Sequence, residues 1–235
     1  MNVSSPQAQE IQAIFNRIAP AYDELNDRLS LGFHRVWKQM TVKWCNPKVG
    51  DVCLDVCCGS GDLARLLGQQ VGSTGKVYGV DFSAAQLQIA EQRTQHGFSP
   101  LPIVWMEGDA LHLPFAENFF DAATMGYGLR NVTDISGSLQ ELHRVLKPQA
   151  TVAILDFHRP SNPQLRTFQQ WYLDTIVVPA AAQMGLREEY AYINPSLDRF
   201  PTGPEQVALA QQAGFSSVHH YPIAGGMMGV LVATK

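Results

Sequence analysis

Cysteine is scarce in this sequence: Cys45, Cys53, Cys57 and Cys58 are the only four in 235 residues. None forms the C-x-x-C spacing of a metal knuckle or redox pair, so they read as reduced thiols that behave as small apolar side chains. The seven histidines show no H-E-x-x-H or similar ligand spacing, and no metal is expected. Charge is thin as well. Charged residues make up 16% of the chain, and its net charge of −4 offers no basic face for a phosphate backbone, which sets nucleic acid aside as a partner. No apolar run approaches the roughly 20 residues of a membrane span; the longest, around 176–184, is short and broken by Pro179. Residues 1–10 are polar and lack the cationic start and apolar core of a signal peptide. These absences predict a cytoplasmic globule, and the length fits a single domain over 1–235.

What is present alternates. Ile11, Ile14, Phe15 and Ile18 recur at helical spacing, and a second amphipathic helix covers 33–44. Then come a strand over 52–57, a helix over 62–70, a strand over 77–81 and a helix over 84–95. Strands over 103–106 and 120–125, a helix over 134–146 and a strand over 151–157 follow. The strands are short and nearly continuously apolar, as in a parallel sheet covered by helices on both faces. Residues 163–185 are apolar and predict a helix that Pro179 kinks or breaks. Residues 218–221 and 230–233 supply two final strands around Gly225 and Gly226.

In such a doubly wound sheet, ligands bind at the carboxyl ends of the strands. The stretch LDVCCGSGDLARLL, residues 54–67, is a strand, a glycine turn and a helix. It satisfies the dinucleotide pattern as Gly59-x-Gly61-x-x-Ala64, with Asp81 ending the next strand, so a nicotinamide-linked oxidoreductase has to be weighed. The neighbouring acids point elsewhere. A pyrophosphate wants helix N-terminal N–H groups free of carboxylates, whereas Asp55 and Asp62 bracket this loop. That suits S-adenosylmethionine, which carries an ammonium and a sulfonium and no phosphate. Asp81 is placed to accept from both ribose hydroxyls, and Asp109 from the adenine amino group. Phe82, Ala110 and Met125, beside these strand ends, complete the expected cofactor set.

The segments LDVCCGSGDLA, VYGVDFS, EGDALHLPF and HRVLKPQA together resemble the class I S-adenosylmethionine-dependent methyltransferases. YDELNDRLSLGFHRVWK and GLRNVTD are similar to the ubiquinone/menaquinone biosynthesis C-methyltransferases within that class. CCGSGD, TMGYGLRNV, ILDF and GGMMGVLVA resemble the naphthoquinone branch of oxygenic phototrophs, which methylates 2-phytyl-1,4-naphthoquinol. Two departures stand out: Gln149 and Ala150 replace the family's Gly-Gly after Lys-Pro, and Asp156 and His158 replace its Glu and Ser.

The resemblance implies a Rossmann-like, mostly parallel seven-stranded sheet. It divides the chain into a helical lid (1–45), a cofactor core (46–160), and substrate-channel helices with final antiparallel strands (161–235). It implies S-adenosylmethionine as cosubstrate, S-adenosylhomocysteine as product, and Tyr22 close to the cofactor. It also places Arg130 and Asn131 at the quinone. A quinone ring is electron-poor, whereas a quinol that loses a hydroxyl proton becomes nucleophilic at the ortho carbon, so a reduced acceptor is expected. An arginine stays protonated and suits oxyanion stabilisation better than base catalysis. His34, Tyr127 and His158 are further base or hydrogen-bonding candidates, with Phe157 beside the ring. Within this frame the acceptor is a prenylated naphthoquinol or, alternatively, a polyprenyl benzoquinol. Such an oily substrate implies transient apolar contact with a membrane surface. A non-catalytic S-adenosylmethionine binder would need neither Arg130–Asn131 nor the 22–37 segment.

Overall fold

The computed structural model describes residues 6–19, 27, 30, 32–95 and 100–235. Seven strands form one sheet: β1 (Val52–Val56), β2 (Lys76–Asp81), β3 (Ile103–Glu107), β4 (Phe120–Gly126), β5 (Leu146–Phe157), β6 (Ser217–Ile223) and β7 (Met228–Thr234). Their order is β3-β2-β1-β4-β5-β7-β6, and β7 runs antiparallel to both its neighbours. The winding reverses between β1 and β4, which puts the ligand crevice over their carboxyl ends.

Strand alternation sends Cys53 to one face and Leu54 to the other. On the Cys53 side, α2 (Phe33–Cys45) and α3 (Asp62–Val71) bury Val42, Cys45, Leu63 and Leu67 against Val77 and Ala122. On the Leu54 side, α5 (Ile135–Val145) and α10 (Gly203–Gln212) bury Leu139, Leu142 and Ala210 against Ile154 and Leu231. Helix α4 (Ala84–Gln95) follows β2. A third cluster lies off the sheet, where Ile18 of α1 (Pro6–Ile18) meets Leu173, Val177, Tyr190 and Leu197.

The β1–α3 turn depends on glycine. Gly61 has φ 86°, and a Cβ there would sit 2.5 Å from the Trp105 ring. The fully buried Asp55 carboxylate accepts from the Ala64 N–H (2.9 Å) and from the Thr124 hydroxyl (2.9 Å), locking the helix start to β4.

Several elements differ from the sequence expectation. β5 starts at Leu146 rather than 151, with Gln149 in the left-handed region at φ 67°. The apolar 163–185 stretch is α6 (Pro163–Tyr172), a π-turn at Leu173–Val177 and α7 (Val178–Ala182). The backbone stays helical through Val177 and Val178, and the π-turn just before Pro179 is the interruption that a proline inside a helix predicts. Two short helices, α8 (Arg187–Ala191) and α9 (Ile193–Arg199), and α10 itself lie where the sequence reading placed no element. For α10 a signal existed: Thr202 and Glu205 form a capping box. Helix α2, expected within the lid, packs its C-terminal half on the sheet, with Cys45 Sγ donating to the Ala123 carbonyl (3.1 Å).

Gly61→Ala combines a positive φ with a clash against Trp105. We expect it to lower unfolding free energy by about 1–3 kcal/mol in urea titrations. An unchanged midpoint would contradict this account of the turn.

Candidate functional site

Two cavities open over the strand ends. The first, about 680 Å³, runs from the β1–α3 loop across the ends of β2 and β3 to the loop after β4. The second, about 580 Å³, lies between α1, α2 and the helices after β5. Phe15, Tyr127 and Asn131 line both.

Asp81 forms the acidic floor of the first cavity. One carboxylate oxygen accepts from the Gly59 N–H (2.8 Å) and the other from the Ser83 N–H (2.9 Å). Burial raises its carboxyl to about 6, and these backbone donors oppose the rise. Each oxygen keeps a lone pair for a hydroxyl. Glu107 and Asp109 lie further along, and among the described lining residues there is no lysine or arginine. A pyrophosphate would meet three carboxylates here; a sulfonium nucleoside fits. Gln86 adds a buried Oε1 without a partner among the described residues. Helix α1 roofs the cavity: Gln12 donates to the Phe82 carbonyl, Asn16 accepts from the Ser83 hydroxyl, and Phe15 meets the Phe82 ring at 6.1 Å.

The second cavity is walled by Phe33, Trp37, Phe157, Phe168 and Tyr172. Its polar corner is the loop after β4. Tyr127 is held at φ 59° by its N–H bond to the Leu155 carbonyl (2.7 Å), and its own carbonyl accepts from Asn131 Nδ2 (2.9 Å). Asn131 Oδ1 is buried and has no partner among the described residues. Arg130 pairs with the buried Asp156 carboxylate, donates to Ser196 Oγ (3.2 Å) and lies over the Phe157 ring at 5.1 Å. His34 also lines this cavity, its Nδ1 2.7 Å from Ser30 Oγ. Burial, aided by Lys38, holds the imidazole below its usual pKa and therefore neutral. Behind Arg130 and Asn131 a polar recess of about 310 Å³ reaches Thr133, Ser136 and Tyr192.

The structure thus gathers Gly59, Asp81, Phe82, Asp109 and Ala110 at the first cavity, and His34, Arg130 and Phe157 at the second, with Tyr127 and Asn131 between. Other expected residues lie outside the two cavities. Asp55 lines neither cavity, because its carboxylate serves Ala64 and Thr124; burial raises it to about 7. Asp62 turns away to Lys38 (2.6 Å) and Arg93 (2.9 Å), so the loop acids do not face the ligand space. Gly61 shapes the turn without touching the cavity, and Met125 is core, with Gly126 in its place at the wall. His158 lines neither cavity. Its Nδ1 bonds the Asp156 carbonyl (3.1 Å), while Nε2 meets Gln206 (2.7 Å) and His220 (2.9 Å). Tyr22 lies outside the described residues.

The sequence reading missed Gln12, Phe15 and Gln86. It also missed Asp156 as the partner of Arg130.

The model of the ubiE/COQ5 methyltransferase family matches residues 3–235. The chain belongs to this family. It is 67% identical, over 96% of its length and 99% of the relative's, to the 2-phytyl-1,4-naphthoquinone methyltransferase of Trichormus variabilis. It is 53% identical, over 97% of its length and 88% of the relative's, to the chloroplastic 2-phytyl-1,4-β-naphthoquinone methyltransferase of Arabidopsis thaliana. Its fold is shared by a crystal structure of an S-adenosylmethionine-dependent methyltransferase, possibly a histamine N-methyltransferase, from Thermotoga maritima. That match has a TM-score of 0.66 at 20% identity, over 95% of this chain and 99% of the other. The protein is a methyltransferase, and the oxidoreductase alternative falls with that.

Asp81 accepts hydroxyls best when ionised, so affinity for S-adenosylhomocysteine should weaken as pH falls through about 6 and stay level above it. Asp81→Ala should weaken binding about 10–100-fold, the worth of a charge-assisted hydrogen bond or two, and remove that pH step. Calorimetric titration checks both, and full affinity in the variant would take Asp81 out of the site.

Proposed function

We propose that this methyltransferase moves the methyl group of S-adenosylmethionine to a ring carbon of reduced 2-phytyl-1,4-naphthoquinone. The observation that carries this reading is the meeting of an acidic cavity and an apolar one at Asn131, whose buried carbonyl oxygen has no partner among the described residues. The relatives' shared acceptor supports it.

S-adenosylmethionine supplies a methyl on a positive sulfur, and Asp81, Glu107 and Asp109 give that charge a favourable cavity. The chain's own task is to hold the ring carbon in line, at about 3–3.5 Å from the methyl, and to raise its electron density. Asn131 Oδ1 accepts the quinol hydroxyl and orients the ring. Arg130 faces the oxygen that becomes anionic. Asp156 fixes its Nη1, while Nη2 takes no partner among the described residues. His34, neutral on the same wall, takes the proton directly or through a water. Phe157 and Tyr127, with ring centroids 5.3 Å apart, flank the naphthalene plane. Methyl transfer leaves neutral S-adenosylhomocysteine and a ring ketone whose methylated carbon still bears its hydrogen. Loss of that ring proton to water and protonation of the ketone oxygen restore the aromatic quinol, which leaves.

The phytyl tail occupies the apolar cavity toward Phe168 and Tyr172. Among the described residues no helix is long and apolar enough to cross a membrane. A lipid-dissolved acceptor is collected by a peripheral visit to a membrane surface.

Labelled methyl transfer to 2-phytyl-1,4-naphthoquinone, with and without dithionite and beside a demethylated polyprenyl benzoquinol, tests the reading. Transfer to the reduced naphthoquinone alone is expected. Transfer to the oxidised form would contradict the quinolate step, and preference for the benzoquinol would replace the acceptor.

Arg130→Ala should lower kcat about 10²–10³-fold, as for the loss of an oxyanion donor, with S-adenosylhomocysteine affinity nearly unchanged. A matching loss of cofactor affinity would move Arg130 out of the acceptor site.

A further inference from the structure

Resting on the naphthoquinol acceptor proposed above, we infer that Gln169 is a specificity-determining residue: its side-chain oxygen accepts the quinol hydroxyl beside the prenyl tail, so that binding itself selects the reduced ring. Gln169 lies on α6 and lines the apolar cavity, where it is only 5% exposed. Its Nε2 donates to the His158 carbonyl (2.8 Å) and, at 3.5 Å, to the Met227 carbonyl. Both carbonyls can only accept, so a flipped amide would set oxygen against oxygen. The backbone therefore fixes which end of the amide is left over, and it is the acceptor. That Oε1 is buried and has no partner among the described residues. A buried carbonyl oxygen without a donor is unfavourable, and a ligand that brings a donor removes the deficit.

Asn131 repeats the pattern. Its Nδ2 is engaged by the Tyr127 carbonyl, and its Oδ1 is likewise buried and has no partner among the described residues. Tyr127 follows β4 and His158 follows β5, so the two amides hang from the ends of adjacent parallel strands, which lie about 5 Å apart, the scale of one aromatic ring. A 1,4-quinol has two hydroxyls to donate, one beside the carbon that is methylated and one beside the tail. Arg130 and Asn131 take the first. The tail runs toward Phe168, the residue before Gln169, and this brings the second hydroxyl to Gln169 Oε1. The oxidised ring has no hydroxyl, and its two carbonyl oxygens would face two carbonyl oxygens. A site built to bond a hydroxyl rejects an analogue that lacks it, because its own polar groups are left unpaired. The redox state is thus selected before any proton leaves the ring.

Binding separates this selection from the chemistry. Anaerobic calorimetry on the S-adenosylhomocysteine complex compares three short-tailed ligands: 2-prenyl-1,4-naphthoquinol held reduced by dithionite, the oxidised quinone, and 3-prenyl-1-naphthol. The naphthol keeps the hydroxyl beside the reacting carbon and lacks the one beside the tail. It is also more apolar than the quinol, so a cavity without a second acceptor would hold it at least as tightly. The wild type should bind the quinol about 10–100-fold more tightly than the naphthol, and more tightly than the quinone. Gln169→Met keeps the length of the side chain and removes the acceptor. It should abolish the preference for quinol over naphthol and raise affinity for the quinone.

Equal wild-type affinity for quinol and naphthol would overturn the inference. So would a Gln169→Met protein of native unfolding midpoint that still prefers the quinol, or that loses all three ligands in parallel, as a merely structural tie would. If the variant does not fold, the order of the ligands on the wild type still decides. No binding of the quinol by a wild type that holds S-adenosylhomocysteine would overturn the proposed acceptor and this inference with it; binding without preference would overturn this inference alone.

Discussion

The left-handed backbone of Tyr127 is the constraint on which the chemistry of this fold depends. A bulky residue at φ 59° carries strain of about 1–3 kcal/mol. It persists because the Leu155 carbonyl of β5 holds its N–H, and because Gly128 beside it leaves room for Cys57, which is itself left-handed at φ 54°. That kink ends β4 abruptly and turns the next residues back over the sheet. Its carbonyl then receives Asn131, its ring meets Phe157, and the short helical turn carries Arg130 to Asp156.

The two cavities divide the work by polarity. Buried acid lines the cavity proposed for S-adenosylmethionine, and aromatic rings line the one proposed for the acceptor. Low dielectric strengthens the polar contacts where they meet, and excludes water from a methyl that water would otherwise attack slowly. Asp156 has a double role: it neutralises the charge of a buried arginine and fixes its direction. A guanidinium so held presents its remaining donors without the entropy cost of ordering a free side chain.

Much of the fold was legible in the sequence because its signals are local. Glycine at 59 and 61 announces the turn, alternating short apolar runs announce the sheet, and Asp81 at a strand end announces a carboxylate on the cavity wall. Arg130 was legible as a residue, but its partner was not: Asp134 lies close in sequence and caps α5 instead, while Asp156 arrives through the β4–β5 pairing. His158 is adjacent to Phe157, yet strand alternation turns it toward α10 and β6, into a cluster with Gln206 and His220 that no spacing rule announces. The same one-residue offset separates Met125 in the core from Gly126 at the wall. Helices α8 and α9 are too short to show a period, and their burial comes from contact with α1 and the π-turn.

The central claim is that donor and acceptor meet across Tyr127 and Asn131. A crystal structure of the complex with S-adenosylhomocysteine and reduced 2-phytyl-1,4-naphthoquinone, grown without oxygen, tests it most directly. The account predicts the sulfur and the unsubstituted ring carbon on opposite sides of one methyl-sized gap, with a quinol hydroxyl on Asn131 Oδ1 and the tail toward Phe168. A ring bound in the polar recess behind Arg130, or a hydroxyl that ignores Asn131, would contradict it.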